Sequence, residues 1–190
     1  MKLLSMPQQL EEFALSHGLP SPKTAKDAAG CHAFVYSSDQ TRRYAYSLTW
    51  SDTPGHLLWV MLNPGTGETE GRRRNTFERC RKWSQQLGYG GLIFGNVFSE
   101  RTKAAKDLQR LELSEDMLNH EALCFLSKHA ASTVVAWGNN GSRSNSAKSV
   151  GSLLSNPQCF GLTKAGEPRH PLYVPAATKL LPWQPALGDA

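Results

Sequence analysis

Long apolar runs are missing from this chain of 190 residues, and no stretch reaches the length of about 20 residues that a membrane-spanning helix needs. Charged side chains are also scarce, at 19% of the sequence. The hydrophobic fraction of 39% is still enough for a packed core, which excludes a wholly disordered protein. The first residues turn acidic too early for a secretory signal, so we expect this to be mature sequence. The length predicts a single domain, and the absence of long apolar runs predicts no membrane partner.

Cysteine is equally sparse. The four cysteines, at positions 31, 80, 124 and 159, never come closer than 35 residues along the chain. Zinc and iron–sulfur sites depend on short chelating spacings such as CxxC, so we expect neither kind of site. Three of the four lie among apolar neighbours, which is typical of buried free thiols and predicts a reducing, cytoplasmic location.

The net charge of +5 is unevenly distributed. Residues 1–70 carry 5 basic and 7 acidic side chains, whereas residues 71–190 carry 16 basic and 9 acidic ones. The densest basic run is Arg72, Arg73, Arg74, Arg79, Arg81 and Lys82. Such a patch favours a polyanionic partner, and a solvated helix face is the alternative interpretation.

Hydrophobic periodicity predicts strands that alternate with helices. The predicted core strands are 57–62, 92–94 and 133–137, followed by shorter ones at 160–163 and 172–174. The predicted helices are 75–87, one that begins at Ser114, and 146–154. This alternation predicts a three-layer α/β/α sandwich around a mostly parallel central sheet of about four strands. Residues 1–50 are predicted to be an extension with a helix and a hairpin packed on the core, and 51–190 to be the α/β domain itself.

Polar residues follow the predicted core strands at the point where each ends. Asn63 follows the first, Asn96 the second, and Gly138 with two asparagines the third. Ligands of open α/β sheets bind outside the carboxyl ends of the strands. We therefore expect these residues to share one crevice with His170, which lies in a loop stiffened by prolines.

Each of these side chains also has a purely structural interpretation. The Asn63 amide can hold a water or a ligand, yet an Asn-Pro pair also simply starts a turn. Asn96 offers donors and an acceptor that match a pyrimidine edge, or it caps a strand end. The imidazole of His170 can donate to an oxyanion on a leaving group, or it is an ordinary surface histidine.

The order of these motifs resembles the uracil-DNA glycosylase superfamily, closest to its mismatch-specific thymine/uracil branch. The matching elements span residues 57–175 and are LNPG at 62–65, the aromatic Phe77, GNVF at 95–98, WGNNG at 137–141 and RHPL at 169–172. The sequence also resembles a bacterial and phage family of unknown function with LNP, RC, NxF, WG and TKxGxPRHPL elements.

The resemblance implies a DNA glycosylase that needs no metal and no other cofactor, extrudes a base from the helix and leaves an abasic site. Asn63 would position the attacking water, and Phe77 would stack on the flipped base. Asn96 would bond the base edge, His170 would stabilise the departing base anion, and Leu172 would wedge into the gap. Basic and small polar side chains are the usual phosphate contacts, so we expect DNA contacts at Arg72, Arg73, Arg74, Arg101, Lys103, Ser142, Arg143, Lys148 and Arg169, with Leu172 as the wedge.

No aromatic follows Pro64 in this sequence, and Gly65 and Gly67 leave room in the base-binding site for a bulky 5-substituent. We therefore hypothesise a modified pyrimidine as the substrate, such as hydroxymethylcytosine or its glucosylated form in phage DNA. Its removal would serve antiviral defence by a monomeric enzyme. Two alternatives stay open: a non-catalytic nucleic-acid-binding module, because a neutral amide is a poor general base, and a hydrolase of free nucleosides or nucleotides.

Overall fold

The computed structural model describes residues 4–67, 75–103, 107–111, 116–143 and 146–185. These residues form four α-helices and one eight-stranded sheet. The helices are α1 (Met6–Ser16), α2 (Asn75–Gln86), α3 (Met117–His129) and α4 (Ser146–Ser152). The strands are β1 (Lys23–Asp27), β2 (Gly30–Tyr36), β3 (Arg43–Thr49), β4 (His56–Met61), β5 (Gly91–Asn96), β6 (Ser132–Val135), β7 (Gln158–Cys159) and β8 (Leu181–Pro182).

The sheet has the strand order β1-β2-β3-β5-β4-β6-β7-β8. Strands β5, β4, β6 and β7 are parallel to one another, and the remaining pairs are antiparallel. The prediction of a mostly parallel sheet of about four strands is therefore wrong, because the sheet is mixed, mostly antiparallel and twice as wide. The reason is that β3 pairs with the free edge of β5, with Tyr46 opposite Phe94, so the N-terminal hairpin extends the sheet.

Local chemistry explains the other differences from prediction. Strand β1 is fully exposed, so it has no apolar pattern that would identify it. The predicted strand at 172–174 is instead a short 3-10 helix, Pro171–Tyr173, because proline cannot donate to a ladder and its fixed φ suits the first position of a helix. Helix α3 is capped by the carboxylate of Asp116, and Ser114 lies outside the described residues.

The core consists of two apolar layers, one on each side of the sheet. Side chains alternate along β4, so that Leu58 faces one layer and Trp59 the other. The first layer is closed by α1, α3 and α4, and the second by α2. This arrangement leaves the carboxyl ends of β4, β5 and β6 together at one end of the sheet, which we call its carboxyl edge. Helix α2 begins beside this end.

The cysteines are free thiols, of which Cys80 and Cys159 are buried, Cys124 is half-buried and Cys31 is exposed. Burial raises the pKa of Cys80 well above its usual value. Among the described residues, no group of three or more His, Cys, Asp or Glu side chains is placed to hold a metal ion. The helices of the described ranges are too short or too polar to cross a membrane.

Candidate active site at the carboxyl edge of the sheet

The polar residues that follow the core strands lie at one edge of the sheet. Strand β4 ends at Met61, which is paired in register with Asn96 at the end of β5, and Asn63 follows two residues later. Gly138 follows the neighbouring parallel strand β6. A Cβ built on Gly138 would lie 3.3 Å from the Cβ of His170, so the histidine reaches the same edge.

The Asn63 amide is held in one orientation. Its Nδ2 donates to the Thr102 hydroxyl at 2.7 Å and to the Pro64 carbonyl at 3.1 Å. Its Oδ1 accepts no hydrogen bond from any residue that the structure describes. The half-buried side chain therefore presents an acceptor that a water molecule or a ligand donor can use.

His170 is half-buried, and burial lowers its pKa below the ordinary value of 6.5. Its Nδ1 accepts the backbone N–H of Leu172 at 3.4 Å, where His170 caps the 3-10 helix. A neutral imidazole that accepts at Nδ1 carries its proton on Nε2. His170 is therefore a neutral donor at this edge of the sheet.

The loop that carries His170 is anchored on both sides. The indole Nε1 of buried Trp137 donates to the Glu167 carboxylate at 2.6 Å, and the Gly138 N–H donates to the Pro168 carbonyl at 2.9 Å. On the other side, a guanidinium nitrogen of Arg79 from α2 donates to the Val174 carbonyl. The loop that carries the imidazole is thus fixed both to the end of β6 and to α2.

Asn96 and Phe77 share the α2 side of the sheet. Gly95 faces Leu123 of α3, so alternation points the next side chain, Asn96, toward α2. The ring of Phe77 is tilted by 36° to that of Phe94, with centroids 6.2 Å apart. Asn96 is 2% exposed, and its Nδ2 has no hydrogen-bond partner among the described residues. A buried donor left in this state is costly unless a water molecule or a ligand supplies the acceptor.

Two residues at this edge were missed by sequence reasoning. One is Thr102, which touches Asn63 across 39 positions of the chain, a separation at which no local pattern operates. The other is Arg43, only 7% exposed, whose guanidinium lies 5.5 Å from the ring centre of Tyr46. A bulge between β2 and β3 shifts the register beside Arg43, and a charged residue opening an apolar strand was the only sequence signal for it.

The candidate phosphate contacts are only partly brought to the site. Arg169 and Leu172 flank His170 and are exposed. Arg101 donates to the Gln40 carbonyl at 2.7 Å and lies over the Tyr36 ring. The exposed Lys103 follows Thr102. Lys148 lies on α4, which packs on the side of the sheet opposite to α2. Gly65 is half-buried beside Pro64. Arg72, Arg73 and Arg74 and the side chains of Ser142 and Arg143 lie outside what the structure describes.

The family model described as "Protein of unknown function (DUF1643)" matches residues 43–172, from β3 to the 3-10 helix. The match covers more than half of the chain, and the chain belongs to this family. It includes Asn63, Asn96 and His170. No curated protein and no solved structure matches the chain. The expected kinship with a family of unknown function is confirmed, and the resemblance to uracil-DNA glycosylases stays a prediction.

Proposed function

We propose that this member of the DUF1643 family is a DNA glycosylase that hydrolyses the N-glycosidic bond of an extruded, modified pyrimidine. One observation carries the proposal: a free amide acceptor on Asn63, which follows β4, lies at the same edge as a neutral imidazole donor on His170, which packs against Gly138 after the neighbouring strand β6. Hydrolysis of an N-glycosidic bond needs these two functions, one to hold the water and one to stabilise the leaving base.

In the proposed reaction the bond between C1′ of the sugar and N1 of the base breaks, and its electron pair leaves with the base. The Nε2–H of His170 donates to the oxygen on which the negative charge of the base develops. The water held by Asn63 Oδ1 adds to C1′, loses its proton to solvent and becomes the hydroxyl of the abasic sugar. The departed base takes up a proton from solvent. Asn63 orients the water and removes no proton itself.

Base recognition is proposed for Phe77 and Asn96. The aromatic ring offers a stacking surface, which is worth about 1–3 kcal/mol per base. The unpaired Nδ2 of buried Asn96 calls for an acceptor, and a pyrimidine edge presents one as a carbonyl or a ring nitrogen. Gly65 adds no side chain after Pro64, and we therefore propose a pyrimidine with a bulky 5-substituent, hydroxymethylcytosine or its glucosylated form, as the substrate.

The same two groups can act on a smaller substrate, and one observation favours that second candidate. The guanidinium groups of Arg101 and Arg169 donate to the protein's own carbonyls, on Gln40 and Leu162. A hydrolase of free nucleosides needs no wide phosphate-binding surface. The two candidates differ in salt dependence, because affinity for DNA falls steeply with added salt when phosphates are bound.

The test is to incubate the purified protein with duplexes that carry hydroxymethylcytosine, glucosylated hydroxymethylcytosine, uracil or no modification, and then to treat them with alkali. We expect breaks at a modified base and the free base in the mass spectrum. Asn63→Ala and His170→Ala should each lower release by about 100-fold or more without unfolding the protein. Gln86→Ala, an exposed residue at the end of α2, is the control.

Three results would overturn the proposal. Breaks in no DNA, with DNA binding retained, would indicate a binding module. Hydrolysis of free nucleosides without attack on DNA would indicate the second candidate. Full activity of both variants would remove Asn63 and His170 from the reaction.

A further inference from the structure

We infer that Thr102 is a positioning residue for the hydrolytic step, because its hydroxyl holds the Asn63 amide in the orientation that presents Oδ1 to the attacking water. The inference rests on the proposed function and deepens it. It assigns Thr102 an effect on the rate of bond cleavage and none on the binding of DNA.

The contact is short and shielded from solvent. Asn63 Nδ2 lies 2.7 Å from Thr102 Oγ1, and Thr102 is buried. The backbone N–H of Thr102 also donates to the Pro64 carbonyl at 3.1 Å, and this carbonyl accepts from Asn63 Nδ2 as well. Three hydrogen bonds thus close a ring between the turn after β4 and the segment after β5.

This ring sets which way the amide faces. A carbonyl oxygen only accepts, so the amide atom beside the Pro64 carbonyl must be the donor Nδ2. Rotation of the Asn63 amide by half a turn would set Oδ1 against the Pro64 carbonyl and forfeit that hydrogen bond, whereas the Thr102 hydroxyl could still donate to Oδ1. The Pro64 carbonyl therefore selects the orientation of the amide, and the Thr102 hydroxyl anchors it there. The Thr102 hydroxyl takes the second proton of Nδ2, which leaves Oδ1 as the group that faces outward.

Thr102 is itself held in place by its surroundings. The Phe98 N–H donates to the Leu62 carbonyl at 2.9 Å, which continues the contact between β4 and β5 beyond their last residues. The Ser99 hydroxyl donates to the Asp116 carboxylate at 2.6 Å, and this ties the segment to the start of α3. The Arg101 N–H donates to the Thr41 carbonyl at 2.9 Å. The backbone segment that carries Thr102 is therefore held in place, and so is its hydroxyl.

Replacement by valine removes the hydroxyl and keeps the shape. In Thr102→Val, Asn63 Nδ2 keeps only the bond to Pro64, and the amide can swing away from the water. A misplacement of about 1 Å at a reacting group costs about 100-fold in rate, so we expect kcat to fall about 10- to 100-fold. KM should stay within about twofold, because Thr102 bonds no part of the base or phosphate in this mechanism. Thr102→Ser keeps the hydroxyl and should restore most of the rate.

The experiment compares the wild type with Thr102→Val, Thr102→Ser and the control Thr133→Val, on the duplex from which the wild type releases most base. Thr133 is also buried, in β6, and its hydroxyl lies 3.5 Å from that of Ser127. The control therefore reports the general effect of removing a buried hydroxyl. Side-chain amide exchange of Asn63, followed by NMR, is measured on the same four proteins and requires no substrate.

We expect kcat to be low in Thr102→Val alone, with KM unchanged, and the Asn63 amide protons to exchange faster in that variant alone. A Thr102→Val protein with wild-type kcat, or a Thr102→Ser protein as slow as Thr102→Val, would overturn the inference while the glycosylase proposal stands. A wild type that releases no base would overturn the proposed function. The exchange rates then decide the positioning role, and equal rates in the wild type and Thr102→Val would refute it.

Discussion

Gly138 lies against His170, so closely that a side chain on the glycine would come within 3.3 Å of the histidine β-carbon. The backbone of Gly138 has a φ of +72°, which side chains rarely tolerate, and its N–H donates to the Pro168 carbonyl at 2.9 Å. The segment after β6 and the loop that carries His170 therefore pack directly against each other. Glycine is needed at this position both for its backbone conformation and for its lack of a side chain.

We expect Gly138→Ala to lower the free energy of unfolding by about 1–3 kcal/mol, because of the positive φ, and to lower base release about tenfold by displacing His170. Urea unfolding and the alkali assay measure the two effects. Gly18→Ala is the matched control, since Gly18 has a φ of +66° and no atom within 4 Å of the added carbon. It should lose stability and keep the wild-type rate. Equal rates of base release in the two variants would contradict this account.

Acid should weaken the fold through His170. Burial lowers the pKa of His170 in the folded protein below 6.5, its ordinary value in the unfolded chain. At a pH between the folded and the unfolded pKa, the unfolded chain therefore binds more protons than the folded one. The contribution of neutral His170 to the free energy of unfolding is complete above pH 6.5 and is lost as the pH falls through the lowered pKa of the folded protein. Protonation also turns Nδ1 into a donor, which breaks its bond from the Leu172 N–H.

The check is urea unfolding from about pH 7.5 down to about pH 5, a range in which only histidines change charge on their ordinary pKa. The pKa of His56 is lowered by burial as well, so the wild type is compared with His170→Gln, which retains His56. We expect the variant to lose less stability on acidification. Parallel pH profiles of the two proteins would show that His170 does not titrate in this way.

Removal of the Glu167 carboxylate should loosen the loop that carries His170. In Glu167→Ala the buried Trp137 indole loses its acceptor, and we expect a loss of about 1–3 kcal/mol in the free energy of unfolding together with slower base release. Glu167→Gln keeps an acceptor oxygen and should behave much like the wild type. Tryptophan fluorescence during urea unfolding reports the stability. An alanine variant as stable and active as the glutamine variant would show that this bond does not hold the loop.

Leu172 is 43% exposed and Tyr173 is 79% exposed, so their replacement costs little packing. We expect Leu172→Ala to change stability by less than about 0.5 kcal/mol. Base release from a duplex should fall about tenfold, because unstacking a base step costs a few kcal/mol that a wedge helps to repay. Release from single-stranded DNA with the same base should be unchanged. The control is Leu15→Ala, an exposed leucine on α1. A similar loss on both DNA forms would argue against a wedge.

The sequence by itself determined the centre of the sheet and the place of the candidate site. The continuous apolar runs at 57–62, 92–94 and 133–137 became β4, β5 and β6, because such runs are stable only when both faces are buried. Asn63 and Asn96 were correctly located at the carboxyl ends of these strands, because the position of a residue relative to a strand end is a local property.

Only the tertiary structure decided which strands flank that centre and which groups meet across it. The antiparallel pairing of β3 with β5 depends on a free strand edge, and the exposed β1 joins β2 without any apolar signal. The contacts of Thr102 with Asn63 and of Gly138 with His170 join residues more than 30 positions apart. Such contacts follow from how the elements pack, because hydrophobic periodicity records which face of an element is buried and not what it is buried against.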